Sequence, residues 1–199
     1  FSRKCQQLSG PLMAKGFEDT VFYIYNRLIS LNEVGGNPAV FGMSVDDFHA
    51  WNTRRHATFP HSMNATATHD TKRGEDARMR ITALSQLPGE WREHCRNWSK
   101  INRRFKTRRG NRFFPDRNDE YFLYQACIGG RPGGGIGGRE DFLSRLIDYA
   151  IKAVREAKVH TAWIKQDDEY ETAFSSFIRG ICSFEPFLEN FEPFARRIA

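Results

Sequence analysis

Residues Met63 to Arg78 read MNATATHDTKRGEDAR. From Met63 to Thr68, apolar or small residues (Met63, Ala65, Ala67) alternate with polar ones (Asn64, Thr66, Thr68), the two-residue period of a short strand. The alternation stops at His69-Asp70, and Thr71-Lys72-Arg73-Gly74 leads into an acidic helix start at Glu75-Asp76. A strand that delivers a histidine and a carboxylate at its C-terminal end is where a (β/α)8 barrel keeps its catalytic groups. On spacing alone the plainer reading wins: a polar pair closing a strand.

Beyond this stretch the pattern is almost purely helical. Ala77, Ile81, Leu84 and Leu87 mark one helix closed by Pro88-Gly89, and Trp91, Cys95, Trp98, Ile101 and Phe105 mark the next. A basic loop follows, then Asn118 as N-cap of a short helix through Tyr121, Tyr124 and Ile128. Gly129 to Gly138, GGRPGGGIGG, reads as a flexible link. A phosphate-loop reading fails there, since no Lys-Ser/Thr follows and no apolar strand precedes. Phe142, Leu146, Tyr149, Ala153 and Ala157 stripe a long helix, Asp167 caps another, and Pro186 to Ala199 forms the last, kinked or broken at Pro193.

On the N-terminal side, residues 5–16 read as an irregular opening broken by Gly10-Pro11 and Gly16. Phe17 to Leu31 has helical spacing and ends at the Asn32 to Pro38 stretch. Ser44 opens a further helix with Asp47 in the capping-box position, its inner face formed by Val45, Phe48, Trp51 and Arg55.

At 199 residues the chain can bury one good core or two small ones. No apolar run approaches the ~20 residues of a membrane span, so no membrane partner is expected. Cys5, Cys95, Cys127 and Cys182 lack ligand spacing and read as free thiols of a reducing cytoplasm. The six histidines form no metal set, and neither metal nor organic cofactor is expected. Arg103 to Arg112 places six cations in ten residues without an acid, interleaved with Phe105 and followed by Phe113 and Phe114. A nucleic-acid-binding module is therefore the rival reading, but no nucleic-acid fold signature accompanies the run and a solvated basic loop explains it.

The longer string THDTKRGEDAR (68–78) is more specific than its His-Asp pair. It resembles the fourth sequence region of the α-amylase superfamily, glycoside hydrolase family 13, in the version carried by the maltooligosyltrehalose synthases. AKGFEDTVFYIYNRLISLNEVGG (14–36), PDRNDEYFLYQ (115–125) and REAKVHTAWIKQDDEYE (155–171) resemble the same family, so the likeness spans most of residues 6–199. Two departures are visible: Phe17 stands where a smaller aliphatic is usual, and Arg131 where an aromatic is usual.

The resemblance implies a mainly α fold. Residues 1–71 would belong to a catalytic (β/α)8 barrel that is otherwise missing, and residues 72–199 would form a helical subdomain. The chain opens on Phe1 and carries neither the nucleophile nor the acid motif, so an internal fragment is expected, inactive alone and partnered by the remainder of its polypeptide. Family enzymes are retaining and use two carboxylates about 5 Å apart. The resemblance makes Asp70 a third carboxylate that stabilises the oxocarbenium ion. His69 would bind a hydroxyl of the same sugar, Lys72 and Arg73 the reducing-end glucose, and Lys15, Glu18 and His160 further parts of a maltooligosaccharide. Helix capping and surface charge remain the alternative for Lys15, Glu18 and Asp19, with capping favoured for Asp19. A C-terminal helix histidine is the alternative for His160.

Overall fold

In the computed structural model, residues 1–199 build a helical protein with a single two-stranded sheet. Helix begins almost at once: α1 (Ser2–Pro11) runs through a wider π-helical stretch (Leu12–Val21) into the single turn α2 (Phe22–Ile24). The irregular opening expected over residues 5–16 does not occur. Pro11 sits at φ −60, the value its ring demands, and Gly10 and Gly16 face open space, so nothing there breaks the spiral. The helix expected to reach Leu31 instead stops at Ile24, and a 3₁₀ turn (Ile29–Leu31) follows.

Two buried amides replace the backbone bonds lost at that break. Asn32 Nδ2 donates to the carbonyls of Phe22 (2.8 Å) and Tyr25 (2.7 Å). Gln125, from a helix distant in sequence, accepts from Ile29 N at 2.9 Å and donates to Asn26 O at 2.8 Å. Buried peptide groups must find partners, and these side chains supply them.

Next come α3 (Val45–Thr58), capped by Ser44 as its sequence implies, α4 (Glu75–Ala83) with a 3₁₀ turn to Gln86, and α5 (Pro88–Ile101). Pro88 starts α5, where a missing N–H is harmless. The basic segment is not a loop but a hairpin, β1 (Thr107–Arg109) and β2 (Arg112–Phe114), antiparallel with Arg109 opposite Arg112. Gly110, first of its two turn residues, takes φ +59, a conformation glycine adopts freely. Met63 to Thr68, expected to be the strand, is irregular and exposed. Alternation becomes a strand only where a neighbour completes the ladder, and no other strand lies beside these residues.

The remaining helices are α6 (Arg117–Gly130), α7 (Glu140–Ala157), α8 (Asp168–Cys182) and α9 (Glu185–Ile198). Asp116, not Asn118, caps α6: its Oδ1 accepts from Asn118 N at 2.8 Å and Asp119 N at 2.9 Å. An unbroken α9 passes through Pro193, because Phe191 and Phe194 on either side are buried and hold both halves.

Helix α6 is buried from Asp119 to Gly129 apart from the half-buried Tyr121, and forms the centre of the core. At Gly129 an added Cβ would stand 2.7 Å from Ile81 Cδ1, so glycine lets α4 and α6 meet. Trp98 of α5 is fully buried, its ring 5.3–6.0 Å from those of Tyr124, Phe187, Phe191 and Phe194, and its Nε1 donates to Asn190 Oδ1 at 2.7 Å. Tyr23, Leu28 and Ile29 join this same core. The glycine run is anchored rather than flexible. Arg131 is buried against Glu192 (2.8 Å), and the other oxygen of Glu192 takes Ile136 N at 2.6 Å.

Candidate active-site turn

His69 and Asp70 occupy the tip of a turn closed by Thr71 N donating to Thr68 O (3.2 Å) and Thr68 N donating to Thr71 Oγ1 (2.6 Å). Both side chains are exposed and make no hydrogen bond or ion pair with the chain. The Lys15 ammonium lies close enough to feel the Asp70 charge. Asp19 holds its ammonium above the ordinary lysine value, with smaller contributions from Glu156 and Asp70.

The residues immediately after the turn point inward. Lys72 Nζ donates to Asp19 Oδ1 at 2.9 Å and lies 5.7 Å above the Tyr23 ring, its side chain only 6% exposed. Lys15 reaches the other oxygen of Asp19 at 2.5 Å. Burial works to raise the Asp19 carboxyl, but hydrogen bonds and charge from the two lysines overcome it and leave it below the usual range. The Arg73 guanidinium is buried, donating through Nη1 to Ile29 O (2.8 Å) and Asn32 O (3.3 Å), with Tyr149 beneath it. Glu18 is buried too and accepts from Gly35 N at 3.0 Å.

One carboxylate that the sequence did not single out lies behind the turn. Glu33 accepts from two successive backbone groups, Lys72 N at 2.6 Å and Arg73 N at 3.2 Å. No periodicity or spacing could mark it, because its partners are main-chain groups 39 and 40 residues later. The nearby sequence Asn32-Glu33-Val34-Gly35-Gly36 carries only a helix-stop signal.

His160 is engaged elsewhere. Its Nε2 lies 2.8 Å from Asp116 Oδ2, and its ring stacks on Tyr170 at 4.4 Å with Phe114 at the edge. The segment carrying it is tied to the Asp19 wall one step away, through Lys158 Nζ to Thr20 Oγ1 at 2.8 Å. Asp116, Asp119 and His160 each present one ligand-type atom within 4.8 Å of the others. Protein partners already use these groups: Asp116 caps α6, and Asp119 accepts the Tyr170 hydroxyl. Burial and the neighbouring Asp116 charge push the Asp119 carboxyl up to about 6.

Two cations of the basic segment are paired with acids of the same chain. Lys106 is buried against Glu120 (2.7 Å), and Arg109 pairs with Asp167 (2.9 Å) and Glu169 (3.3 Å). Arg103 and Arg104 each lie 5.1 Å from an aromatic ring, Phe113 and Phe184 respectively. A cleft of 880 Å³ between α5 and α6 and an adjoining one of 620 Å³ beside the hairpin contain neither His69 nor Asp70. No helix is long and apolar enough to cross a membrane.

A helical core carries an outward-facing His-Asp turn on an inward-braced acidic wall, and several known proteins are similar to this chain. They are maltooligosyl trehalose synthases. A curated Mycobacterium tuberculosis (strain CDC 1551 / Oshkosh) protein named for that activity is 40% identical over 168 residues, 84% of this chain and 20% of its own. The crystal structure of the Sulfolobus tokodaii hypothetical maltooligosyl trehalose synthase superposes with a TM-score of 0.86 at 43% identity, covering 98% of this chain and 26% of that one. A second maltooligosyl trehalose synthase structure gives 0.87 at 37% identity, covering 98% and 25%. The chain thus spans a fifth to a quarter of the length of these relatives. A scan of protein-family models finds none that matches.

Proposed function

We propose that this chain is part of a cytoplasmic enzyme that converts the reducing-end α-1,4 linkage of a maltooligosaccharide into an α,α-1,1 trehalosyl linkage by intramolecular transglycosylation. The observation that carries the reading is the match to maltooligosyl trehalose synthases along 98% of the chain, in sequence and in shape together. The remainder of the polypeptide would supply the nucleophile, the general acid and most of the barrel. Residues 1–71 would lie against that barrel, and residues 72–199 would form the helical subdomain beside it.

In this reading Asp70 is the fixed anion of the site. As the glycosidic bond breaks, positive charge grows on the sugar ring, and an oriented carboxylate in a closed, water-poor site stabilises it far more than water would. The exposed, unpartnered state of Asp70 and His69 supports this role, because both keep their polar atoms free for a ligand. Lys15 stands at the same edge, its ammonium exposed while paired to Asp19. Glu18, Lys72 and Arg73 direct their polar atoms toward the chain itself, which suits bracing better than sugar contact. His160, held by Asp116 and Tyr170, keeps its place beside the hairpin.

The test is Asp70→Asn in the full-length enzyme, which preserves size and removes charge. A lost transition-state charge interaction should lower kcat at least ~10²-fold, with a much smaller change in KM for maltopentaose. The 199-residue chain alone should form no trehalosyl product. Wild-type turnover by the Asn variant, or turnover by the isolated chain, would overturn the proposal.

A further inference from the structure

We infer that Glu33 is a positioning residue for the His69-Asp70 turn, a carboxylate clamp that fixes where the Asp70 anion points. The inference rests on the reading of Asp70 given above. The turn has little to hold it. Its two tip side chains are exposed and make no hydrogen bond or ion pair with the chain, and its internal bonds run only between Thr68 and Thr71. On the approach side, Thr66 is tied to Glu75 (2.8 Å) and to Arg78, both exposed contacts. On the exit side, Lys72 N and Arg73 N, two and three residues past Asp70, both donate to Glu33.

The exit-side anchor is the better rooted of the two. Glu33 follows Asn32, which is buried and bonded to the carbonyls of Phe22 and Tyr25, and it lies four residues past the fully buried Ile29. Ile29 is itself pinned by Gln125 at the centre of the core. An unbroken chain of packed and hydrogen-bonded groups therefore runs from α6 through Gln125, Ile29, Asn32 and Glu33 to the backbone beside Asp70. The side chains of the clamped residues close the same bracket from the other direction. Arg73 returns to the carbonyls of Ile29 and Asn32, and Lys72 to Asp19. Bonds from an ionised carboxylate to N–H donors are about twice as strong as neutral ones. Two converging on successive peptides leave the turn little freedom to swing.

Glutamine cannot do this. It offers one acceptor and one NH2 group, and the NH2 would face a backbone donor. In the full-length enzyme Glu33→Gln should lower kcat about 10- to 100-fold with KM within about twofold, the signature of a reacting group displaced on the order of an ångström. Amide exchange at Lys72 and Arg73 should quicken, while the α6 amides exchange as in the parent. Glu33→Asp, which retains both oxygens but is one methylene shorter, should fall between. If the Gln variant does not fold, the Asp variant decides: faster exchange at 72 and 73 with reduced kcat supports the clamp, and no change in either overturns it. Wild-type kcat in Glu33→Gln beside a crippled Asp70→Asn would overturn the clamp and leave the role of Asp70 standing. Faster exchange throughout α6 would mark a general loss of stability and overturn it as well. Wild-type kcat in Asp70→Asn would remove both.

Discussion

Helices α3 and α5 are each fourteen residues long, and each carries aromatic residues at helical spacing, yet they have opposite fates. α5 buries Trp91 and Trp98 among Tyr121, Tyr124 and the phenylalanines of α9. α3 buries nothing: Phe48 and Trp51 are each 52% exposed, and the Arg55 guanidinium of the same helix lies 5.1 Å over the Trp51 ring. Both helices begin with a strong local signal, a serine capping box in α3 and a first-turn proline in α5. Local chemistry thus decides that a segment is helical, while burial depends on whether another element offers a matching face. The His69-Asp70 turn lies between these two helices in the chain, its tip exposed like α3 and its root tied to the core that holds α5.

The contrast is tested most severely at its two tryptophans. Trp98→Ala removes a fully buried ring packed among six other aromatic rings, together with its hydrogen bond to Asn190, and should destabilise the 199-residue chain by ~3–5 kcal/mol in denaturant unfolding. Trp51→Ala should change stability by no more than ~0.5 kcal/mol, as exposed substitutions usually do. Comparable losses at the two positions would mean that α3 is covered in solution and would end the comparison.

A smaller effect separates the buried polar groups of the core from exposed ones. The Asp119 carboxyl is pushed up to about 6 by burial, with Asp116 adding to the rise and the Tyr170 hydroxyl and His160 opposing it. Because that value exceeds the unfolded one near 4, the folded state binds the proton more tightly. The resulting stabilisation is fully present below about pH 4 and is lost as pH rises through about 6, by ~2–3 kcal/mol. Asp119→Asn keeps an acceptor for Tyr170 and should abolish this loss, so its stability relative to the parent should grow between pH 4 and 7. Asp116 and Glu171, both held below their usual values, act in the opposite sense at lower pH and are common to both proteins. A parent-minus-variant difference that does not vary with pH would refute the assignment.

These same residues show what the sequence could and could not reveal. The Asp167 cap and the stripes of α7 and α8 are readable because each signal is confined to one element: a carboxylate on Tyr170 N at 3.0 Å, or apolar residues on one helical face. The strand at Met63–Thr68 was misleading, because its alternation needs a ladder partner that the chain does not place there. The hairpin at 107–114 was hidden behind its charge, although Gly110-Asn111 is a turn dipeptide. At the candidate site, His69 and Asp70 are singled out through the family string, and the structure places both at an exposed turn. Glu33 and the inward use of Lys72 and Arg73 are not visible, because they depend on partners distant in sequence: main-chain groups for Glu33 and Arg73, and the Asp19 carboxylate for Lys72.

The smallest expected effect sharpens the comparison most, because it concerns a helix with almost nothing but its cap. Ser44 Oγ accepts from Asp47 N at 3.1 Å and donates to Asp47 Oδ2 at 2.7 Å, so one hydroxyl satisfies an otherwise orphaned first-turn N–H and orients a carboxylate toward the helix start. Removing such a cap typically costs about 1 kcal/mol. In α5 that amount would be lost within a packed core. In α3, which buries no residue and at fourteen residues is near the length at which isolated helices become marginal, it is a large share of local stability. Ser44→Ala should therefore quicken amide exchange along α3 about fivefold, 1 kcal/mol expressed as a population ratio, and leave the global unfolding midpoint unchanged. Ser44→Asp, which restores an acceptor, should return exchange close to the parent rate. A fall in the global midpoint matching the change in exchange would show that α3 unfolds with the core, and that the two helices differ in exposure but not in cooperativity.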